Sequence, residues 1–157
     1  MNLKTEMRRA EKAITDLAYI ESIMEKAPFG ILSLCKDGLP YALPVNFYYG
    51  DGTLYIHCAK EGQKLQYIQA NPQVCFLIVH PADVSETECS SAMNYESILC
   101  FGRAVFSETS SIDVLEKLGA KYNECSEITE ADCQETAIIS IHIDEVSAKR
   151  GYQVKSE

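Results

Sequence analysis

Residues 53–72 read T-L-Y-I-H-C-A-K-E-G-Q-K-L-Q-Y-I-Q-A-N-P, and within that stretch the apolar period changes from two to near 3.6. Leu54, Ile56 and Cys58 alternate with Thr53, Tyr55 and His57, the pattern of a strand with one buried face. Beyond Ala59 the alternation stops, Leu65 and Ile68 take helical spacing, and Asn71-Pro72 ends the helix. A strand thus hands over to a helix through a loop holding Lys60 and Gly62, with Lys64 in the helix's first turn. Free backbone N–H groups and the positive end of the helix dipole point out of such a turn and suit an anion. Gly62 lets the backbone approach closely, and the two lysines add charge. A solvated helix start with incidental lysines is the alternative. His57 projects from the less apolar face beside this cradle, as either a structural hydrogen-bonder or a reactive group.

Working outward, residues 15–27 form an amphipathic helix with Leu17, Ile20, Ile23 and Met24 at helical spacing, Asp16 as N-cap and Pro28 as its stop. Residues 29–35 make a strand, Asp37-Gly38 a hairpin turn, and residues 39–49 the returning strand. Pro40 and Pro44 cannot donate to a ladder, so that strand belongs at an edge, or is bulged or bent. The turn Gly50-Asp51-Gly52 leads into the strand at 53–58. Further strands are expected at 73–80, 96–106 and 136–143, with a polar loop at 81–93, a helix near 111–123 and an acidic connection at 124–135. The expected fold is mainly β (α+β): a six-stranded antiparallel barrel with short flanking helices. One domain spans residues 1–157, its segment 1–27 packing on the barrel.

The chain's 157 residues suffice for a core without staples. Net charge is −9, from 23 acidic and 14 basic residues, which repels nucleic acid and anionic lipid at long range. A bound phosphate then requires a local basic pocket. No apolar run reaches membrane-span length, and the polar, charged N-terminus argues for the cytoplasm. The seven cysteines include no C-x-x-C pair, and Cys35, Cys58, Cys75 and Cys100 sit in apolar runs as small hydrophobes. Neither a disulfide framework nor a zinc site is indicated. The three histidines are far apart and form no ligand-spaced set. Arg103 interrupts the run I-L-C-F-G-R-A-V-F, where a buried guanidinium needs a carboxylate or a bound anion.

The motifs together resemble the flavin mononucleotide (FMN)-binding split barrels related to pyridoxamine 5'-phosphate oxidase. The likeness is greatest to the branch of Nim-type nitroimidazole-resistance proteins. It is carried by Arg8-Arg9, Pro44-Val45-Asn46-Phe47, Ile56 to Leu65, Asn71-Pro72-Gln73-Val74-Cys75-Phe76, Tyr95-Glu96-Ser97 and Gly102-Arg103-Ala104, in order over residues 7 to 150. The resemblance implies FMN as cofactor. Backbone groups of Val45, Asn46 and Phe47 would lie along the isoalloxazine, with His57, Cys58 and Ala59 along the ribityl chain. Lys60, Gly62 and Lys64 would lie near the phosphate. It also implies a homodimer with the flavin at the interface, so that Tyr95, Ser97 and Arg103 reach the site from either subunit. His57 matches the histidine that the branch places near flavin and substrate. The C-terminal arginine and histidine pattern of true pyridoxamine-phosphate oxidases does not appear, which disfavours that reaction. The resemblance points instead to electron transfer from reduced FMN to a small electron-poor acceptor such as a nitroaromatic. A non-catalytic flavin-storage protein and a haem-binding relative are the alternatives.

Overall fold

The computed structural model describes residues 1–4, 6–81, 94–123 and 127–151. Cys89, Cys125, nearly all of the 81–93 loop and the end of the tail lie outside the described residues. A short strand β1 (Asn2–Leu3) and a 3-10 turn (Ala10–Lys12) precede helix α1 (Leu17–Lys26). Then follow β2 (Gly30–Lys36), β3 (Leu39–Val45), β4 (Tyr48–Gly50), β5 (Thr53–Cys58), α2 (Gln63–Ala70), β6 (Gln73–Pro81), β7 (Tyr95–Ser107), α3 (Ile112–Lys121), α4 (Glu130–Glu135) and β8 (Ala137–Arg150).

Among the described residues eight strands therefore replace the expected six. The expected strand at 39–49 divides into β3 and β4, and β1 pairs in parallel with β8 at Asn2–Glu145 and Leu3–Val146. All other pairings are antiparallel, in the order β3-β2-β6-β7-β8-β5-β4. This hydrogen-bonded path does not close. Its two ends, β3 and β4, are consecutive in the chain and separated only by Asn46 and Phe47. The sheet is thus split along a seam that two residues cross. The prolines explain one side of it: β3 carries Pro40 and Pro44 and pairs with β2 alone, the edge position that missing N–H donors require. At the β2–β3 hairpin, Asp37 and Gly38 take φ values of 52° and 78°, the left-handed pair of a type I′ turn.

The inner face of the sheet is continuous and apolar. Leu32, Phe76, Ile78, Ile98, Ile139, Ile141 and Ile143 are fully buried, following the alternation of their strands. Helix α1 packs Ile20, Ile23 and Met24 into this core. Its N-cap Asp16 accepts from Tyr19 N at 3.2 Å.

β8 extends seven residues past the expected end at 143, because Val146 and Ala148 resume the inward alternation after a register shift opposite Phe101–Gly102. A Cβ on Gly102 would collide with the carbonyl of His142, so the bulge requires glycine there. The polar composition of residues 144–150 hid this half-strand. The N-terminal segment runs along it: Lys4 N donates to Val146 O at 2.7 Å, Ile14 N to Ala148 O at 2.9 Å, and Ala13 bridges to Lys149.

The outer faces of β2, β6 and β7 carry Ile31, Leu77, Leu99 and Phe101, all half-buried, with Val79 and Val105 at 50% and 62% exposure.

Candidate functional site

A cleft of about 340 Å³ lies beside the seam. Asn46, in the two-residue crossing, and His57, on the outer face of β5 opposite Ile138, both line it. Leu115, Leu118 and Gly119 of α3 form an apolar wall, and Glu127, Asp132 and Thr136 add polar groups. The acidic connection thus contains a helix the sequence reading missed. In α4, Thr129 and Asp132 cap each other reciprocally, the hydrogen bonds from Thr129 holding the Asp132 carboxyl below its ordinary value.

Five residues beyond His57 the chain turns into α2. Gly62 is its N-cap, with φ 130° and no side-chain cap, a conformation that L side chains rarely adopt. The helix's first intrahelical bond runs from Leu65 N to Gly62 O at 3.1 Å, so the N–H groups of Gln63 and Lys64 precede the ladder. Lys64 is half-buried and close enough to Cys58 that its charge counters the upward push of burial on that thiol. Lys60, by contrast, donates to Gln134 O at 2.6 Å, tying the loop to α4. Asn71 ends the helix structurally, its Nδ2 donating to Cys35 O at 3.0 Å.

The seam itself is held by a residue that sequence reasoning missed. The Tyr122 hydroxyl accepts from Phe47 N at 2.9 Å and shares its one proton between Pro28 O at 2.9 Å and Phe47 O at 3.1 Å. One side chain thus serves backbone groups where no neighbouring strand does. Phe47 itself points inward, fully buried and edge-on to Phe76 at 5.0 Å. Its backbone groups therefore face Tyr122. Lys121 sits 3.8 Å above the Phe47 ring and donates to Met24 O at 3.4 Å. Burial lowers its pKa to about 8. No motif marks Tyr122, and only its place at the end of an amphipathic helix gave a signal.

Of the expected site residues, Asn46 and His57 share the cleft, Val45 ends β3, and Cys58, Ala59, Lys60, Gly62 and Lys64 follow along the strand–helix junction. Tyr95 and Ser97 are elsewhere. They pair with Pro81 and Val79, level with the C-terminal end of β8, whereas His57 and Cys58 pair with its N-terminal end. Those ends lie roughly 40 Å apart along the strand. Arg103 is exposed on the outer face, opposite Gln73 and His142. This corrects the expectation of a buried guanidinium: the alternation turns it outward, where solvent removes the need for a partner. Among the described residues no group of His, Cys, Asp and Glu could hold a metal ion. Cys35, Cys58, Cys75, Cys100 and Cys133 are free thiols, and burial pushes Cys100 up to about 12, as suits inert packing groups. No helix among the described residues is long and apolar enough to cross a membrane.

An open antiparallel sheet with a cleft at its seam and an uncapped helix start beside it defines a split-barrel protein. Residues 16–150 match the family model described as pyridoxamine 5'-phosphate oxidase, and the chain belongs to that family. Its fold is similar to that of a candidate 5-nitroimidazole antibiotic resistance protein from Bacteroides thetaiotaomicron, with 26% identity and a TM-score of 0.76 over 88% of this chain and 86% of that one. It is also similar to an FAD- and haem-binding protein from Mycobacterium smegmatis, at 19% identity and a TM-score of 0.77 over 93% and 76% of the two chains. An FAD-binding protein from Mesorhizobium loti, at 21% identity, gives a TM-score of 0.62 over 88% and 96%. The last two likenesses speak for the fold alone. No curated protein sequence matches the chain.

Proposed function

We propose that this protein binds FMN at the seam and passes electrons from the reduced flavin to a small electron-poor acceptor such as a nitroaromatic. The observation that carries this is the adjacency of a half-apolar cleft holding Asn46 and His57 to an uncapped helix start bearing Lys64. The residues suit the group. Around a Cβ at Gly62 the space is open to 4 Å, so a phosphate can approach the N–H groups of α2, with Lys64 supplying the opposing charge in a chain of net −9. Lys60, already bonded to Gln134, is the lesser contributor. Bound flavin would supply the redox chemistry.

The chain's own residues do the rest. Asn46 and the end of β3 orient the ring, Leu115 and Leu118 exclude water from one side, and His57 holds a proton at the cleft wall for the reduced acceptor. A homodimer is part of the proposal. The apolar outer faces of β2, β6 and β7 offer a self-complementary surface. Tyr95 and Ser97, level with the other end of β8, would join a His57 site from a second copy.

The test begins with the absorption spectrum of the purified protein, where flavin bands are expected. Lys64→Ala should weaken FMN binding by about 1.5–3 kcal/mol, and equal affinity in that variant would put the phosphate elsewhere. His57→Ala should retain FMN but slow reoxidation of the reduced protein by a nitroimidazole. Unchanged reoxidation would reduce His57 to a structural role.

A further inference from the structure

At the far end of β8 from His57, a second cleft of about 400 Å³ opens between the N-terminal segment and the start of β7. Its wall brings Arg8, Arg9, Lys12, Lys149 and Arg150 around Tyr95, and no carboxylate lines it among the described residues. Five of the chain's 14 basic residues thus meet in one concavity of a protein whose net charge is −9. The fold builds this convergence across nearly the whole sequence. The Ala13–Lys149 bridge and the bond from Lys12 Nζ to Gly151 O at 3.0 Å clamp the N-terminal segment against the end of β8. The ladder sets Arg150 beside Glu96, which answers part of its charge. Arg8, Arg9, Lys12 and Lys149 carry the excess.

We infer that this cleft binds the phosphate groups of a nucleotide. Like charges gathered in one concavity repel one another, and an anion of at least two charges turns that cost into binding energy. Arginine forks match phosphate oxygens two at a time. Tyr95, with Lys149 Nζ 5.9 Å from its ring centre, offers a flat surface on which a base can stack. The volume lies within the roughly 300–1,000 Å³ usual for small-ligand sites. The strongly negative remainder of the surface disfavours long polyanions. The inference stands independently of flavin binding at the seam. The phosphate is that of a free nucleotide, since the flavin's own phosphate is assigned to the start of α2.

Calorimetric titration of ADP and of inorganic pyrophosphate into flavin-free and FMN-loaded protein tests it. Saturable binding at one site per chain is expected. Arg9 and Lys149 are exposed, so the double variant Arg9→Ala/Lys149→Ala leaves the core intact and should weaken both ligands by on the order of 30-fold. Lys26→Ala/Lys36→Ala, with the same change of charge elsewhere, should leave both unchanged. Tyr95→Leu should weaken ADP and spare pyrophosphate. Simultaneous binding of ADP and FMN is expected, and displacement of ADP by FMN would overturn a separate nucleotide site. Absence of saturable binding, or equal loss in the two double variants, would overturn the site. Equal effects of Tyr95→Leu on both ligands would overturn its assignment to nucleotides.

Discussion

The Tyr122 hydroxyl meets three backbone groups at the seam, where no neighbouring strand meets them. Tyr122→Phe removes that oxygen and leaves the Phe47 N–H and the Pro28 carbonyl to find other partners. The expected cost is about 1–3 kcal/mol of folding stability, read from urea denaturation, and a weaker flavin complex. Lys121, the preceding residue, gives a pH signature. Its folded pKa of about 8 lies below the ordinary 10.5 because burial disfavours the charge. The charged side chain therefore costs the folded state in full below pH 8, and that cost fades as pH rises toward 10.5. Measured against Lys121→Met, the wild-type protein should gain stability across that window. A flat difference would mean that solvent reaches the ammonium group freely.

Among the elements, the strands and helices that carry a clean period were legible in the chain. β5 begins and ends as its alternation demands, Asp16 caps α1 as expected, and Pro40 and Pro44 put β3 at an edge. Three features were not legible, each for a physical reason. The crossing at Asn46–Phe47 keeps the inward–outward alternation of a strand while losing its hydrogen-bond partners, and alternation is all that sequence displays. The second half of β8 is solvated on one face and bulged, so its polar residues read as a tail. α4 is held by its capping box rather than by an apolar stripe. The β7–β8 bulge carries a prediction of its own. Gly102→Ala forces a Cβ against the His142 carbonyl and should cost about 1–3 kcal/mol, the scale of overpacking, in chemical denaturation. A neutral result would mean that the two strands can part there without loss.

For the molecule as a whole, the candidate site was legible as a set of residues but not as an arrangement. The strand–helix junction could be read locally. The distance between His57 and Tyr95 depends on the length of β8, which no local pattern reveals. That distance makes assembly the decisive property. Leu99, half-buried on the outer face of β7, should lie at the centre of any pairing of two chains through these sheets. Leu99→Lys is expected to convert a sedimenting dimer into a monomer with reduced flavin content. A wild-type monomer that retains flavin would remove the second copy from the proposal.

The pairing of Asn2–Lys4 and Ala13–Ile14 along the end of β8 also has a protective consequence. Without it, the last half of β8 would present a bare row of amides and carbonyls flanked by apolar side chains, the template on which foreign strands add and fibrils start. Residues whose side chains gather cations on one side thus shield, through their backbone, a border of the molecule otherwise open to misassembly. Losing them to a protease would remove both services in a single cut.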